Sequence, residues 1–330
     1  MASYQPPYTI SIRTLMLVAQ IAEKIGRISH YRLLKSKPHL RRNNRIRSIH
    51  SSLAIEASSL TLDEVRGVID GKPVIGSQKE IQEVKNAYRA YDAIGVFDPY
   101  SVADLKRLHG TMTYLTVAES GVFRSGNEGV FKGDQCIFMA PPPQLVPAQM
   151  DELFSWMNSA SSTLHPLILS SVFHYEFVFI HPFSDGNGRM ARLWQTALLS
   201  EWNPIFQYLP LESRIHAFQS EYYDAIAACH TAGSSDLFIE FMLEKISQTL
   251  DWTLEQASSD DAYLSPYVQK MLNVMEYDVP YTAAQIMAAL GLKSKETLRK
   301  NYINPALESQ LIIMSLPDKP TSRNQTYIRK

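Results

Sequence analysis

One stretch of the sequence decides the fold: His181-Pro-Phe-Ser-Asp185-Gly-Asn-Gly-Arg189-Met-Ala-Arg192. It lies between two segments of periodic apolar residues, 164–180 and 188–202, each typical of a buried helix. A proline disfavours helical geometry in the residue before it, so the first helix must end at His181. The sequence therefore predicts a mainly α protein in which a short, sharply turned loop joins two central helices.

The loop has the composition of an anion-binding site. Gly186, Asn187 and Gly188 stand at the start of the second helix, where backbone N–H groups converge and the helix dipole attracts negative charge. Arg189 and Arg192 follow in the first turns, so two guanidinium groups can hold further phosphate oxygens. We interpret this arrangement as a site for a polyphosphate.

Two more side chains of the loop suit chemistry on a bound polyphosphate. Asp185 supplies a hard oxygen ligand for Mg2+, which proteins hold with one or two carboxylates, waters and the phosphates of a nucleotide. His181 titrates near neutral pH and is fixed by Pro182, so it is suited to take a proton from an attacking hydroxyl. Each residue alone is weak evidence, but together they indicate a catalytic site.

These twelve residues resemble the signature of the Fic family, HPFxDGNGRxxR, at every fixed position, and the resemblance extends over about residues 48–330. Gly121-Val-Phe-Arg124, the hairpin after it and Pro141-Pro142 resemble the family's flap and its flanks. The helix around Glu221-Tyr222-Tyr223 and the C-terminal segment are similar to those of multidomain members. The resemblance implies a Fic helical bundle with a small β-hairpin flap, and a protein adenylyltransferase that uses ATP and Mg2+.

The resemblance also implies a role for each residue of the loop. His181 would be the base that activates a Ser, Thr or Tyr hydroxyl of a target protein, and Asp185 would carry Mg2+. Arg192 would meet the γ-phosphate, so that pyrophosphate leaves in line with the attacking oxygen. We expect catalysis from His181, Asn187 and Arg192, and nucleotide binding from Gly186, Asn187, Gly188, Arg189 and Arg192.

Two further regions are expected to contact substrates. By resemblance, Tyr223 lies near the adenine of ATP, whereas His230 stands where some relatives carry Asn. The flap, roughly Val130 to Met139, would pair with an extended piece of the target protein and present its hydroxyl to His181, a form of β-augmentation. Specificity for the target is therefore expected to lie in the flap.

An inhibitory helix is expected near residues 48–57. The segment is similar to the family motif [S/T]xxxE[G/N], with Ser52 and Glu56 matching and Ala57 replacing the usual Gly or Asn. In the family this glutamate pairs with the second arginine of the signature, here Arg192, and occupies the place that the γ-phosphate needs. We expect Glu56 to restrain the enzyme, and a helix to end near Ala57.

The chain is expected to contain three parts. Residues 1–100 form an N-terminal helical region that includes the inhibitory helix, residues 101–257 form the Fic catalytic core, and residues 262–330 form a separate domain. Apolar periodicity predicts helices through most of the first two parts, among them a single helix over 214–232.

The C-terminal part has helix signals of its own. Thr282 and Gln285 form a capping box that predicts the start of a short helix, and Gly291 predicts its end. Ser294 predicts the start of a second helix, which is expected to stop near Pro305.

Two β-prone pieces, 312–314 and 325–328, are expected to pair across a turn-rich stretch, so the layout predicts a winged helix-turn-helix domain. From 262 to 330 there are nine Lys or Arg against five Asp or Glu, a balance of +4. That balance suits nucleic acid modestly, so contact with DNA and contact with a protein remain alternatives.

The whole chain has 330 residues and a net charge of -1, which gives no general attraction to nucleic acid or to membranes. A basic run from Arg32 to Arg47 is the local exception. Two cysteines, and a start that lacks the pattern of a secretory signal, favour a cytoplasmic protein. A membrane partner is not expected, and a homodimer stays open.

Other functions stay open on the same sequence. The same site could remove AMP from a protein, or transfer phosphate or another nucleoside monophosphate, depending on how the nucleotide lies. A different alternative is a DNA-binding regulator whose Fic core senses a nucleotide.

Overall fold

In the computed structural model, residues 4–30, 38–132, 135–262, 265–276, 279–309, 311–320 and 322–329 are described. The chain divides into two compact units. The first contains the described residues up to His30 and those from Arg42 to Trp252, and the second contains 38–41 and the described residues from Thr253 onward.

Helices make up most of the first unit, and their bounds follow in chain order. They are α1 (Ile12–His30), α2 (Pro38–Ile55), α3 (Leu62–Ile69), α4 (Gln78–Asp92), α5 (Val102–Met112), α6 (Val146–Ala160), α7 (Pro166–Ile180), α8 (Asn187–Trp202), α9 (Leu211–Ala217), α10 (Gln219–Ala232) and α11 (Asp236–Ala262). The division between the units falls within α2 and within α11.

The predicted pair of central helices is present as α7 and α8, which pack against each other. A helix that is apolar on all sides belongs in a core, and α7 is buried along almost its whole length. Phe173, Phe177 and Trp194 are fully buried in this pair. Since each such side chain contributes roughly 1.5–3 kcal/mol when buried, the loop joins two helices that are held firmly in the core.

The helix boundaries predicted elsewhere in this unit are confirmed in part. α2 ends at Ile55, close to the predicted end at Ala57, and Thr61 with Glu64 forms the capping box that begins α3. The prediction of one helix over 214–232 is wrong. The backbone leaves helical geometry at Phe218, where φ is -122°, and this break separates α9 from α10.

The predicted hairpin is present between α5 and α6. Strands β1 (Gly129–Lys132) and β2 (Gln135–Met139) pair antiparallel, with Gly129 opposite Met139 and Val130 opposite Phe138. An irregularity after Val130 shifts the register, so Phe131 lies opposite Cys136. Residues 133 and 134, which fall within the predicted flap, lie outside the described residues.

The second unit has the elements α12 (Pro266–Leu272), β3 (Pro280–Thr282), α13 (Ala283–Leu290), α14 (Lys295–Leu298), α15 (Asn304–Glu308), β4 (Ile312–Met314) and β5 (Thr326–Arg329). β5 is the central strand of an antiparallel sheet with the order β3-β5-β4. Met271, Ile286 and Leu298 are buried in a hydrophobic core that belongs to this unit. The predicted helix pair and hairpin are thus confirmed, and strand β3 adds to them; the winged-helix assignment itself stays a prediction.

The expected end of the last helix at Pro305 is wrong. Residues 299–303 form a π-helical turn, and Asn304 N–H donates to Arg299 O, five residues back. Because this turn widens the hydrogen-bond spacing just before the proline, Pro305 enters at the start of α15, where its missing N–H costs little. The helix therefore continues to Glu308.

Among the described residues, none of the helices is both long enough and apolar enough to cross a membrane.

Candidate active site

His181 lies at the C-terminal end of α7 in a left-handed backbone conformation, with φ 51° and ψ 58°. Such a conformation costs a non-glycine residue roughly 1–2 kcal/mol, and the fold must supply that energy. Nδ1 lies 3.3 Å from the carbonyl oxygen of Val178, which can only accept, so Nδ1 carries the proton and Nε2 is the basic nitrogen. Burial lowers the pKa of His181, which keeps the ring neutral and able to accept a proton.

Arg124 holds the backbone of this histidine and of the proline after it. Its side chain is buried, with Nε donating to His181 O at 2.7 Å, Nη1 donating to Gly126 O at 2.8 Å and Nη2 donating to Pro141 O at 2.5 Å. The Arg124 N–H donates to Pro182 O at 2.9 Å. A planar guanidinium with five donors can satisfy several carbonyl groups at once, so Arg124 fixes the position of the loop. This role of Arg124 is not predicted by the sequence, which places the residue only at the edge of the flap.

His109 on α5 supports the loop from below. Its ring lies parallel to the Phe183 ring, with the centroids 3.6 Å apart. Nδ1 accepts from Gly121 N–H at 3.0 Å, so Nε2 carries the proton that Asp185 O accepts at 2.9 Å. Burial lowers the pKa of His109 to about 4. A lone histidine in an amphipathic helix gives no distinct signal in the sequence, so this role of His109 was not predicted.

The start of α8 has the geometry of the predicted anion site. Gly186 precedes the helix with φ 83°, and no side chain caps the N–H groups of the first turn. The Asn187 side chain instead closes the loop: its Oδ1 accepts from Phe183 N–H at 2.9 Å, and its Nδ2 donates to Phe183 O at 2.7 Å. The backbone N–H groups of Asn187 and Gly188 are thus the part of this segment that can bind an anion.

Asp185 and Arg189 contact each other beside this helix start. Asp185 Oδ1 accepts from Gly186 N–H at 2.5 Å and from Arg189 Nη2 at 2.9 Å. Arg189 is buried and also pairs with Glu83, with Nη1 and Oε1 3.3 Å apart. The guanidinium predicted to assist phosphates therefore lies on two carboxylates here, and Glu83 is a partner that the sequence analysis missed.

The donor set beside the loop fits Mg2+. Within the described part of the chain, no group of three or more His, Cys, Asp or Glu residues could hold a metal ion by itself. The Asp185 side chain is 42% exposed, and both of its contacts above involve Oδ1. A single accessible carboxylate is what Mg2+ uses when nucleotide phosphates and waters complete its coordination.

Glu56 and Arg192 form the ion pair that the family resemblance implies. Glu56 Oε1 lies 2.7 Å from Arg192 Nη2, and the Arg192 side chain is 1% exposed. Arg192 also donates from Nη2 to Ser52 O at 3.0 Å and from Nε to Ser52 Oγ at 3.2 Å. Although burial alone lowers the pKa of Arg192, the Glu56 carboxylate raises it above its ordinary value.

The Glu56 carboxylate also lies over the predicted anion site. A Cβ atom added at Gly188 would collide with Glu56 Oε1 and would stand 3.1 Å from Arg192 Nη1. The carboxylate therefore occupies space directly beside the first turn of α8, where an incoming phosphate would bind.

The end of α2 has a defined cap that presents Glu56. Ala57 N–H donates to Ala54 O at 3.0 Å, and Ser58 N–H donates to Leu53 O at 3.1 Å, which is the hydrogen-bond pattern of a Schellman motif. Ala57 occupies its left-handed position, with φ 65°. Glycine and asparagine adopt this conformation most readily, so the usual Gly or Asn of the family motif has a physical reason, and Ala57 is strained.

A buried carboxylate holds the middle of α2 in place. Glu212 on α9 accepts from Ser48 Oγ at 2.6 Å and from Tyr91 OH at 2.7 Å. Gln219 Nε2 donates to Ile55 O at 3.0 Å near the end of the helix. These contacts fix α2 so that Ser52 and Glu56 both reach Arg192.

Tyr223 and His230 lie on α10, two turns apart. Tyr223 is half exposed, whereas the His230 ring stacks on Phe138 of the flap, with the centroids 4.1 Å apart. Nε2 of His230 is buried and makes no hydrogen bond within the described part of the chain. The structure thus brings the flap and α10 together, and leaves a polar atom at their contact without a partner.

Comparisons with known proteins agree with this geometry. The Fic/DOC family matches residues 99–199, and the family described as "Filamentation induced by cAMP protein Fic-like, C-terminal domain" matches residues 266–328. Protein adenylyltransferase fic-1 of Caenorhabditis elegans is 30% identical over 247 residues, which are 68% of this chain. Protein adenylyltransferase Fic of Drosophila melanogaster is 31% identical over 223 residues, which are 64% of this chain. The chain spans less than half the length of these two relatives, 45% and 42%.

A solved structure matches almost the entire chain. It is the crystal structure of a Fic family protein from Desulfovibrio desulfuricans, which is 42% identical, with a TM-score of 0.74. The match covers 99% of this chain and 98% of that one. Because the similarity extends over both units and includes the loop between α7 and α8, the chain belongs to the Fic family.

Proposed function

We propose that the chain transfers AMP from ATP to a hydroxyl group of a protein. The observation that carries the proposal is the position of His181, a partly buried and neutral histidine whose loop leads directly to the uncapped start of α8. His181 offers a base and the start of α8 offers an anion site, and nucleotidyl transfer needs both. The adenylyltransferase names of two relatives support the same reaction.

The proposed step forms one bond and breaks one. The oxygen of the target hydroxyl attacks the α-phosphorus of ATP, and the bond from that phosphorus to the bridging oxygen of the β-phosphate breaks. Nε2 of His181 takes the proton of the hydroxyl, and pyrophosphate leaves with the electron pair of the broken bond. The products are an AMP-modified protein and pyrophosphate.

The residues of the loop would hold the nucleotide. The N–H groups of Asn187 and Gly188 would bind phosphate oxygens, with Gly186 providing the turn that aims them. Asp185 would hold Mg2+, which when bound neutralises charge on the phosphates as pyrophosphate leaves. Tyr223 would contact the adenine, and an extended segment of the target would pair with the flap.

We further infer that Glu56 restrains the reaction. Two observations support this inference: Glu56 pairs with the arginine expected to meet the γ-phosphate, and its carboxylate lies beside Gly188. A γ-phosphate brought to Arg192 would meet a negative charge at that place, so ATP would bind in a pose unsuited to transfer. Transfer would then require Glu56 to move away.

Mass spectrometry of the intact protein tests the proposed function. The Glu56→Gly variant, incubated with ATP and Mg2+, should gain the mass of AMP on itself, and the Glu56→Gly/His181→Ala double variant should gain none. The matched control is Glu56→Gly/His216→Ala, which removes a partly exposed histidine on α9 and should keep the modification. A gain equal to phosphate, or a gain that survives the loss of His181, would contradict the proposal.

A further inference from the structure

A second site for anions is suggested by two arginines that lie away from the loop. Arg47 on α2 and Arg214 on α9 line a cavity of about 160 Å³, together with Ser213 and Trp252. We call it the Arg47–Arg214 cavity. None of these residues has a role in the function proposed above.

Two arginines of the basic run that contains Arg47 are neutralised by carboxylates. Arg42 pairs with Asp70, and Arg45 Nη1 lies 2.8 Å from Asp92 Oδ1. Arg32, the first residue of the run, lies outside the described residues. Arg47 differs from Arg42 and Arg45 because it contacts an aromatic ring instead of a carboxylate, with Cζ 5.5 Å from the centre of the Trp252 ring.

Arg214, on the other side of the cavity, also contacts an aromatic ring instead of a carboxylate. Its Cζ lies 6.0 Å from the centre of the Phe218 ring. Among the described residues, neither Arg47 nor Arg214 has a carboxylate within ion-pair distance. Asp251, which precedes Trp252 in the chain, is 2.6 Å from Lys24 Nζ and is therefore committed to another cation. The cavity thus has two guanidinium groups and no compensating negative charge.

The cavity also offers a hydroxyl donor. Ser51 Oγ donates to Ser213 Oγ at 3.0 Å, which leaves the proton of the Ser213 hydroxyl available to a ligand. Two guanidinium groups and a hydroxyl thus offer several hydrogen-bond donors, and no carboxylate lies among them. Such a set is complementary to the oxygens of a phosphate group, which accept several hydrogen bonds at once.

We propose that the Arg47–Arg214 cavity binds a small, multiply charged oxyanion of the phosphate or pyrophosphate class. Size decides against a whole nucleotide, because pockets for drug-sized ligands begin at roughly 300 Å³ and this cavity has about half that volume. The bound anion would accept from Arg47 on one side and from Arg214 on the other. It would therefore link α2 to α9, the two helices that Glu212 and Ser48 already join.

Trp252 provides a local signal for the test. It is one of four tryptophans in the chain and is the one that lines the cavity. The full-length protein would be titrated with sodium pyrophosphate and separately with sodium phosphate while tryptophan emission is recorded, with ionic strength held constant by chloride. We expect a saturable change in emission with each anion, because an anion that takes Arg47 from the ring alters the surroundings of the indole. The Trp252→Phe variant should lose that change, even though pyrophosphate also suits the loop before α8.

Arg47→Gln and Arg214→Gln should each raise the apparent Kd for pyrophosphate at least tenfold. The matched control is Arg107→Gln, which removes an exposed arginine on α5 and should leave the Kd unchanged. Unfolding midpoints of all variants separate a lost site from a lost fold, and two independent arginine variants guard against failure of one.

A signal that persists in Trp252→Phe, or in both glutamine variants, would overturn the assignment. Equal affinity for ATP and pyrophosphate, with the same loss in Arg47→Gln, would overturn the argument from size. Since binding is measured without ATP turnover, these outcomes are independent of whether the chain transfers AMP.

Discussion

Glu56 Oε1 lies 2.7 Å from Arg192 Nη2, and the same carboxylate occupies the space above Gly188 where α8 begins. One side chain thus covers both the buried cation and the start of the anion site. The pair adds little net stability, since desolvation of the buried Arg192 offsets much of its attraction to the partly exposed Glu56. Its proposed effect on ATP is larger, because the carboxylate and a γ-phosphate would compete for the same place.

The first prediction concerns removal of this carboxylate. Glu56→Gly should raise the rate of self-modification with radiolabelled ATP and Mg2+ at least tenfold, because Arg192 then becomes available to phosphate. Glu56→Gln keeps the size of the side chain and loses its charge, so it should give an intermediate rate. Equal rates in all three proteins would remove the inhibitory role of Glu56.

Ser52→Ala provides the control for contacts of Arg192 that do not involve the carboxylate. It removes the Oγ acceptor at 3.2 Å and leaves the carbonyl of the same residue in place. We expect a much smaller increase than in Glu56→Gly. An equal increase would place the restraint in the helix α2 as a whole.

The second prediction concerns the cap that presents Glu56. Ala57 has φ 65°, so Ala57→Gly should relieve strain and stabilise the protein by about 1 kcal/mol. Ala54→Gly is the matched control. It makes the same change three residues earlier, inside α2, and should destabilise by about 1 kcal/mol. Urea unfolding of the three proteins measures both effects.

A consequence for activity follows from the same strain. If Ala57→Gly stabilises the docked end of α2, basal self-modification should fall below that of the parent protein. A stabilised variant with unchanged basal activity would separate the cap from the restraint.

The third prediction concerns Arg124, which we regard as a positioning residue for His181. In the Glu56→Gly background, Arg124→Gln should lower the transfer rate at least tenfold, because the carbonyl of His181 and those of Gly126 and Pro141 lose their donor. Arg124→Lys should not restore the rate, since an ammonium group cannot reach the same carbonyls together. The unfolding midpoint shows how much of each loss is a loss of folded protein.

The pH–rate profile separates positioning from simple loss of stability. Burial is the main cause of the lowered pKa of His181, and the positive charge of Arg124 lowers that pKa further. Removal of that charge should raise the pKa of the base, so the rising limb of the profile should move to higher pH. A profile that keeps its limb while the rate falls would limit Arg124 to a structural role.

The sequence was most informative where chemistry and local geometry coincide. Pro182 predicts the end of the first central helix, because a proline restricts the backbone before it. Gly186 predicts the turn before the second helix, because a glycine leaves the backbone free. The contact between His109 and Phe183 could not be predicted in this way, since it joins α5 to the loop across 74 positions of the chain and depends on packing alone. The same holds for Arg124, whose partners are backbone carbonyls that any sequence provides.

Errors in the predicted helices have a similar origin. Apolar periodicity continues through Phe218, where the backbone breaks, whereas the proline at 305 predicts a stop that the helix passes. Tertiary packing and a π-helical turn decide these positions, and neither has a periodic signal in the sequence.

The fourth prediction concerns the stability of the protein in mild acid. Burial lowers the pKa of His109 to about 4 and that of His174 to about 3, from 6.5 in an unfolded chain. Between the pKa of the unfolded chain and the lower pKa of the folded protein, the unfolded state therefore binds more protons than the folded state. The free energy of unfolding should therefore be highest above pH 6.5 and should fall as the pH drops toward 4. Each histidine should account for a loss of about 2 kcal/mol between pH 7 and pH 5.

Chemical denaturation at pH 7 and at pH 5 measures this loss in the parent protein and in His109→Gln. Glutamine can still accept from Gly121 N–H or donate to Asp185 O, but it takes up no proton. The loss of stability between the two pH values should therefore shrink by about 2 kcal/mol in the variant, even though its stability at pH 7 is lower. A variant that loses as much stability as the parent would show that His109 is already protonated in the folded protein at pH 5. That result would also contradict the assignment of Nδ1 as an acceptor from Gly121, because a protonated ring has two donors and cannot accept that hydrogen bond.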